Sequence, residues 1–318
     1  MKKAAFFVAG IAFLASFSFA QEIAVIVKTG NSSFWQNVQT GASDATKELK
    51  KTNKKLSMTF LGPQAESNVN EEINIVENAI DRGVAAIVLA PSDTKALIPV
   101  VKKARDAGIK VVIIDSLLEG DKSNYVSFLA TDNKAAGEAV AKDLIARLQA
   151  KGITTGKIAI ESYVAGVGSE IGRVGGFKDY ITANSRLTIV STQYSNSDQV
   201  TALNQVTNTL ASNPDLVGFF GANEPSAVGM GRAIAQAGLA GKLVAIGFDG
   251  NSVLANFVKD GTLQAIAVQS AYNMGALGVK TAFDAAIAKK KVAAYVDTGF
   301  LLVNKENVDS QDAKNVLY

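Results

Sequence analysis

Two aspartates, Asp115 and Asp249, each follow a short apolar run, one in either half of the chain. In open parallel sheets, ligands bind outside the carboxyl ends of the strands, where loops and helix N-termini present polar groups. A carboxylate at such a point accepts hydrogen bonds from two hydroxyl groups, or it serves as an acid or a base. The alternative is that each aspartate only caps the following turn. Equivalent positions in both halves favour a ligand site over two separate caps.

The aromatic pair Phe34 and Trp35 follows the first apolar run directly, and Trp35 is the single tryptophan of the chain. An aromatic face packs against the apolar C–H face of a sugar ring, while carboxylates, amides and arginine bind the hydroxyl edge. The competing interpretation is a hydrophobic staple or a core contact at the start of a helix. The pair is therefore a candidate stacking platform for a small sugar.

The composition excludes most catalytic sites. The chain contains no histidine and no cysteine, which rules out Ser-His-Asp and Cys-His catalysis and every histidine-ligated metal site. The stretch after Gly166 lacks the dinucleotide-binding fingerprint, because Ile171 stands where the third glycine is required. We therefore predict no catalytic residue, no cofactor and no metal. A carboxylate-only metal site, or an exported carbohydrate enzyme that uses Asp115 and Asp249 as its acid and base, stays open as an alternative.

The charge of the chain gives no sign of a nucleic-acid partner. There are 32 Lys and Arg residues against 29 Asp and Glu residues. The lysine clusters at 47–55 and 289–291 are typical of the solvated ends of surface helices. We therefore predict no nucleic-acid binding.

The apolar periodicity predicts strands that alternate with helices, which indicates parallel, doubly wound sheets. Predicted strands cover 23–27, 56–61, 84–89, 109–114, 157–160, 187–193, 216–220 and 243–248. Predicted helices cover 34–50, 70–82, 94–107, 172–183, 198–210 and 226–237. Residues 84–115 and 216–249 share one pattern: a strand, a polar loop with proline, a helix, Ala-Gly, a strand and a terminal aspartate. This repetition predicts a structural duplication into two similar lobes.

The first twenty residues are typical of a secretory signal peptide. Lys2 and Lys3 precede an apolar run over 4–17, and Ser18 and Ala20 are small residues at the positions that a signal peptidase reads. The run is shorter than the roughly 20 residues of a spanning helix, although a membrane anchor or a buried helix is the alternative. We predict cleavage after Ala20. The absence of cysteine also removes the usual site for an N-terminal lipid, so we expect a soluble periplasmic protein, with full secretion as the alternative.

Eight short motifs occur in a consistent order. They are NSSFW (31–35), VLAPSD (88–93), VVIIDS (111–116), TDN (131–133), GRVGGF (172–177), GANE (221–224), GFDG (247–250) and AVQS (267–270). Through them, the mature chain resembles the periplasmic sugar-binding proteins of the ribose-binding type. The resemblance implies an α/β protein of the type I periplasmic binding fold, in which two similar doubly wound parallel-sheet lobes are joined by a three-strand hinge.

The resemblance also implies an organisation and partners. After a signal peptide over 1–20, the N-terminal lobe would comprise 21–131 and 270–297, and the C-terminal lobe 132–269 and 298–318. Such a protein captures a monosaccharide by hinge closure, catalyses nothing, and delivers its ligand to an inner-membrane ABC permease. We further expect a monomer, and a chemoreceptor is a second expected partner. The alternative function is binding of another small polar ligand, such as a furanone signal or a polyol.

The family pattern places nine residues of this sequence at the ligand. In the first lobe, the two aromatic residues would sandwich the sugar and Asp115 would accept its hydroxyl groups; in the second lobe, an arginine, an asparagine, an aspartate and a glutamine would complete the site. The predicted ligand-binding residues are Ser32, Phe34, Trp35, Asp115, Ser116, Arg173, Asn223, Asp249 and Gln269.

Four departures from the ribose pattern bear on the ligand. Ser32-Ser33 replaces Asn-Pro, Ala90 replaces asparagine, Ser116 replaces arginine, and Ser197 stands where an aromatic residue is common. Each sugar hydroxyl left buried without a partner would cost about 1–3 kcal/mol. We therefore hypothesise that the ligand is a sugar other than ribose, or one that is larger or differently oriented, with water, Tyr163 or Glu224 supplying the missing contacts.

Overall fold

The computed structural model describes residues 21–318, and the predicted signal peptide and its cleavage after Ala20 lie outside the described residues. The chain folds into two six-stranded sheets covered by helices. The strands are β1 (Glu22–Ile26), β2 (Ser57–Leu61), β3 (Ala86–Leu89), β4 (Lys110–Ile114), β5 (Ser127–Ala130), β6 (Thr155–Ser162), β7 (Arg186–Tyr194), β8 (Leu216–Gly221), β9 (Val244–Phe248), β10 (Ala265–Gln269), β11 (Tyr295–Asp297) and β12 (Phe300–Asn304).

Ten α-helices lie in the same described part of the chain, together with a short 3₁₀ turn over Lys122–Asn124. The helices are α1 (Ser33–Leu49), α2 (Val69–Asp81), α3 (Ile98–Asp106), α4 (Asn133–Ala150), α5 (Gly168–Asn184), α6 (Gln199–Ser212), α7 (Glu224–Gln236), α8 (Ser252–Asp260), α9 (Ala271–Ala286) and α10 (Gln311–Val316). No helix within residues 21–318 combines the length and the apolar character needed to span a bilayer.

The two sheets repeat one topology. The first has the strand order β11-β5-β4-β3-β1-β2 and the second has the order β12-β10-β9-β8-β6-β7. All pairings are parallel except that of β12, which lies antiparallel to β10. The central strands are runs of Val, Ile and Ala that are buried on both faces, as a sheet covered by helices on both sides requires. The predicted duplication into two doubly wound lobes is confirmed.

Glycines bring one pair of helices into close contact in each lobe. A Cβ atom on Gly41 of α1 would lie 1.9 Å from the carbonyl oxygen of Tyr272 in α9, and one on Gly275 would lie 2.0 Å from that of Val38. The helices α4 and α5 repeat this arrangement, because a Cβ atom on Gly137 would lie 2.0 Å from the carbonyl oxygen of Arg173. Each lobe therefore depends on glycine to let two helix backbones touch.

The chain passes between the two sheets three times, after β5, after β10 and between β11 and β12. Backbone and side-chain hydrogen bonds tie the first and third crossings together. Thr298 N donates to the carbonyl oxygen of Ala130 at 3.0 Å, and Thr131 Oγ1 donates to that of Gly299 at 3.2 Å. These crossings form the hinge, while the residue-by-residue division into lobes stays a prediction.

Two predicted helices begin at the wrong residue. The helix predicted over 94–107 begins only at Ile98, because Asp93 Oδ1 accepts the backbone N–H groups of Lys95 and Ala96 and folds the preceding residues into a turn. The helix predicted over 172–183 begins four residues earlier, at Gly168. Glycine is required there, since a Cβ atom would lie 2.7 Å from the carbonyl oxygen of Leu117.

Candidate functional site

A cleft lies between the carboxyl ends of the strands of the two sheets, and its cavity has a volume of about 30 Å³. The first lobe lines it with Lys28, Ser32, Phe34, Trp35, Glu66 and Asp115. The second lobe lines it with Tyr163, Ser169, Arg173, Asn223, Glu224, Pro225, Asp249 and Gln269. Two side-chain hydrogen bonds and one from a backbone N–H to a side chain join the lobes directly across the cleft, so the lobes are in a closed arrangement.

The two strand-end aspartates have the same unusual backbone conformation. Asp115 follows β4 with φ 63°, and Asp249 follows β9 with φ 72°. Aspartate tolerates this left-handed region better than most residues, because its short polar side chain can hydrogen-bond locally. Both side chains are buried in the cleft. The turn-capping alternative does not describe them, because their oxygens accept hydrogen bonds from other elements of the fold.

Lys28 is a buried cation that the sequence analysis missed. Its ammonium group lies 2.6 Å from Asp115 Oδ2, 2.6 Å from Ser116 Oγ and 3.3 Å from Ser169 Oγ. A buried carboxylate requires such a partner, because an unpaired charge in this environment is strongly unfavourable. Ser169 belongs to the second lobe, so Lys28 also links the lobes.

Asp249 is held by donors from two elements. Its Oδ2 atom accepts the backbone N–H of Glu224 at 2.8 Å, and its Oδ1 atom accepts Gln269 Nε2 at 2.8 Å. Burial raises the pKa of Asp249 to about 6, although the Arg173 guanidinium and the hydrogen bond from Gln269 oppose the rise. The Gln269 side-chain oxygen is buried and accepts no hydrogen bond from the described residues, which leaves it free for a donor.

Arg173 is oriented by three groups of the second lobe. Its Nε and Nη2 atoms donate to Asn133 Oδ1 at 3.1 and 2.8 Å, and Nη1 donates to the carbonyl oxygen of Ala222 at 2.6 Å. The guanidinium carbon lies 3.5 Å from the centroid of the Phe248 ring. This stacking and the fixed fork of donors hold the arginine in one orientation at the cleft wall.

Phe34 and Trp35 cannot sandwich a ring between them. Their centroids are 4.8 Å apart and their planes meet at 86°, so the two rings are in edge-to-face contact. The predicted sandwich from the first lobe is therefore wrong. Both residues are buried and belong to the hydrophobic core of the first lobe. They therefore make the core contact given as the alternative, and they also line the cleft.

Glu224 reaches across the cleft to the N-terminus of α1. Its Oε2 atom accepts the backbone N–H of Phe34 at 2.8 Å, and the Tyr318 hydroxyl donates to the same oxygen at 3.3 Å. A carboxylate is favoured there because the first N–H groups of a helix have no partner within the helix. Burial raises the pKa of Glu224 to about 7, and the charge of Asp249 adds to the rise.

The structure brings eight of the nine predicted site residues into the lining of one cleft. The ninth, Ser116, lies directly behind Asp115 and donates to its Oδ2 atom at 2.8 Å. Their contact with a ligand stays a prediction. Four further lining residues, Lys28, Glu66, Ser169 and Pro225, are not predicted from the sequence. The one sequence feature that indicates Lys28 as a site residue is its position two residues after the end of β1.

The raised pKa values predict that closing of the ligand-free protein takes up protons. In an open, solvated cleft, Glu224 and Asp249 would return toward their ordinary pKa values of 4.5 and 3.8. Closing therefore becomes less favourable as the pH rises from about 3.8 to about 7, and it changes little above that range. Small-angle X-ray scattering across this range should show a falling closed fraction. Glu224→Gln should flatten the dependence, and a closed fraction that rises with pH would contradict the assignment.

Residues 23–291 match the family model described as a periplasmic binding protein domain. The chain belongs to the periplasmic binding protein family. It is 32% identical over 264 residues to a D-ribose/D-allose-binding protein of Pseudomonas aeruginosa, which covers 82% of this chain and 80% of the relative. It is 29% identical over 290 residues to the D-allose-binding periplasmic protein of Escherichia coli, covering 90% and 91% of the two chains. The predicted resemblance to ribose-type sugar-binding proteins is confirmed.

Solved structures of this family share the fold closely. An ABC transporter solute-binding protein from Agrobacterium vitis with bound D-fucose is 60% identical, with a TM-score of 0.89, and covers 93% of this chain and 100% of that chain. A carbohydrate transporter solute-binding protein from Agrobacterium radiobacter in complex with D-arabinose is 35% identical, also with a TM-score of 0.89, and covers 95% and 100%. This periplasmic binding protein is thus a sugar-binding component of an ABC importer, and the family implies its export to the periplasm.

Proposed function

We propose that this protein captures a monosaccharide other than ribose in the pyranose form, with a methyl group or a hydrogen in place of the C6 hydroxymethyl group. D-fucose is the preferred candidate. The observation that carries the proposal is a cleft lining that combines charged groups able to bind hydroxyl groups with apolar surface. Asp115, Arg173 and Asp249 supply charged acceptors and donors, whereas Phe34 and Pro225 present apolar surface.

The apolar lining favours a ligand that places a methyl group or a hydrogen against Phe34 and Pro225. A hydroxyl group buried against aromatic and proline surface would lose its hydrogen bonds to water, at a cost of about 1–3 kcal/mol. A methyl group there would instead gain roughly 0.8 kcal/mol from burial. The relative with 60% identity that was crystallised with D-fucose supports the same choice.

The proposed capture step is closure of the two lobes on the sugar. Asp115 and Lys28 would bind hydroxyl groups from the first lobe, and Arg173, Asn223, Asp249 and Gln269 from the second. The closed form alone makes both sets of contacts, so ligand binding shifts the equilibrium toward it. A micromolar dissociation constant corresponds to about 8 kcal/mol, which several polar contacts and one stacking contact can supply.

Titration calorimetry with a matched sugar series tests the proposal. D-galactose, D-fucose and L-arabinose share their pyranose stereochemistry and differ only in the C5 substituent, which is hydroxymethyl, methyl or hydrogen. We expect D-fucose to bind most tightly and D-galactose to bind at least roughly tenfold more weakly, from the loss of one buried hydroxyl partner. D-ribose and D-allose complete the panel. Tight binding of D-ribose together with weak binding of D-fucose would contradict the proposal.

We further propose that the protein catalyses nothing, acts as a monomer, loses residues 1–20 on export and serves a chemoreceptor in addition to the permease. Asp115 and Asp249 are the acid/base pair of the alternative enzyme. Their oxygens are already engaged, because Asp115 is paired with Lys28 and Asp249 accepts two N–H groups, and this supports a non-catalytic role. Native mass spectrometry of the periplasmic protein would report its oligomeric state, a start at Gln21 and any retained sugar. An unchanged sugar in an NMR assay would agree with the non-catalytic role.

A further inference from the structure

We propose that Glu66 is a positioning residue that fixes the indole of Trp35 and latches the two lobes together through Ser197. The proposal rests on the proposed sugar-capture function and deepens it. It assigns a group that contacts both Trp35, in the aromatic wall formed by Phe34 and Trp35, and a residue of the second lobe in the closed form. Glu66 lies in the loop between β2 and α2 and is 7% exposed, which is unusual for a glutamate outside an ion pair.

One carboxylate oxygen of Glu66 orients Trp35. The indole Nε1–H donates to Glu66 Oε1 at 2.9 Å, and Trp35 itself is 2% exposed. An indole has a single donor, and a buried donor without a partner is costly, so this bond selects one orientation of the ring. Trp35 lies in α1 and Glu66 in the loop between β2 and α2, so both belong to the first lobe and opening of the cleft should leave the bond intact.

The other carboxylate oxygen binds the second lobe. Ser197 Oγ donates to Glu66 Oε2 at 2.7 Å, and Asn223 Nδ2 donates to Ser197 Oγ at 3.0 Å. Since the hydroxyl accepts from the amide, its own proton is directed at the carboxylate. Asn196 and Ser197 both have left-handed backbone conformations, with φ 53° and 58°, which shows that the surrounding structure holds Ser197 in a disfavoured conformation.

Glu66 contributes to closure because only one of its two bonds depends on the closed form. Opening of the cleft separates Ser197 from Glu66 but leaves Trp35 in place. The closed form thus gains one charge-assisted hydrogen bond that the open form cannot make, and this bond adjoins the aromatic wall. The latch should therefore slow sugar release and leave sugar entry nearly unchanged.

Three variants separate the bond from Glu66 to Trp35 from the bond between Glu66 and Ser197. Ser197→Ala removes the bond between the lobes, Glu66→Ala removes both bonds, and Glu66→Gln keeps one oxygen for Trp35 but turns an amide N–H₂ toward Ser197. Stopped-flow fluorescence of Trp35 with D-fucose should show the release rate raised roughly tenfold in Ser197→Ala and Glu66→Ala, as expected for loss of a hydrogen bond to a charged group. The rise should be smaller in Glu66→Gln, whose amide N–H can still donate to Ser197 Oγ without the charge. The association rate should change less than twofold. The double variant Glu66→Ala with Ser197→Ala should release D-fucose no faster than Glu66→Ala alone.

The emission of Trp35 without ligand tests the positioning half separately. Glu66→Ala should shift the emission maximum, whereas Glu66→Gln and Ser197→Ala should leave it at the wild-type value. Glu71→Gln is the matched control, because Glu71 accepts the backbone N–H of Gln64 in the loop that carries Glu66 and is not one of the residues that line the cleft. It should change neither the release rate nor the emission.

The possible results separate the latch from the proposed function. If wild-type protein fails to bind D-fucose, the proposed sugar is wrong, while the ligand-free emission and the closed fraction from small-angle scattering still test the latch. Equal emission shifts in Glu66→Gln and Glu66→Ala would overturn the positioning role. Release rates at the wild-type value, or fully additive effects of Glu66→Ala and Ser197→Ala, would overturn the latch.

Discussion

Asp249→Asn is expected to weaken sugar binding at least about a hundredfold, the largest effect of any single substitution in the cleft. The carboxylate uses both oxygens, one for the backbone N–H of Glu224 and one for Gln269 Nε2. An asparagine retains one acceptor and turns its N–H₂ group against one of these donors. Loss of the charged acceptor for a sugar hydroxyl group and creation of an unpaired buried donor each cost about 1–3 kcal/mol, and the midpoint of their sum, about 4 kcal/mol, exceeds the roughly 2.7 kcal/mol of a hundredfold change. Titration calorimetry with D-fucose measures the effect.

A matched control for this substitution lies at the edge of the cleft. Asp198 caps the N-terminus of α6 by accepting Thr201 N–H at 2.7 Å. Asparagine caps a helix about as well as aspartate, so Asp198→Asn should leave both affinity and stability near the wild-type values. Circular dichroism should show that both variants are folded. Affinity retained within tenfold in Asp249→Asn would contradict the central place given to this carboxylate.

Gly137→Ala is expected to destabilise the protein by about 2 kcal/mol, although alanine normally favours a helix. The added methyl group would lie 2.0 Å from the carbonyl oxygen of Arg173 and 3.0 Å from the backbone nitrogen of Phe177. Backbone atoms cannot rotate away, so α4 and α5 must separate. Because α5 carries Arg173, the separation should also weaken sugar binding. Chemical denaturation and calorimetry measure the two effects.

Gly175→Ala is the control for this prediction and should have the opposite sign. Gly175 lies in α5 too, but a Cβ atom there would have no heavy atom within 4 Å. The substitution should therefore stabilise the protein by up to about 1 kcal/mol through helix propensity and leave the affinity unchanged. Equal stability of the two variants would contradict the glycine contact between α4 and α5.

The fold and the place of the cleft could be predicted because both depend on local patterns. Short Val- and Ile-rich runs that alternate with amphipathic helices indicate a covered parallel sheet, and the repetition of the pattern indicates two lobes. Asp115 and Asp249 could be selected because each ends a buried strand. The structure sharpened this prediction by showing that both adopt a left-handed backbone conformation, which no feature of the sequence specified.

The missed features depend on contacts between distant parts of the chain. Lys28 was overlooked because its partner Asp115 is 87 positions away, and Glu66 because its second partner, Ser197, is 131 positions away. The predicted aromatic sandwich failed for a similar reason, since adjacent residues at a helix start gave no information on the angle between their rings. Gly41, Gly137 and Gly275 lower helix propensity, and they are explained only by the neighbouring helix backbone that each one touches.

Small-angle X-ray scattering with and without sugar tests the central claim, capture between two lobes, most directly. The open and closed forms differ in their radius of gyration, whereas binding to a rigid surface would leave it unchanged. We expect the scattering of the ligand-free protein to report a mixture that includes an open form, and saturation with D-fucose to convert it to the compact closed form described above. Saturation by D-fucose, verified by calorimetry in the same buffer, without any decrease in the radius of gyration would contradict the claim.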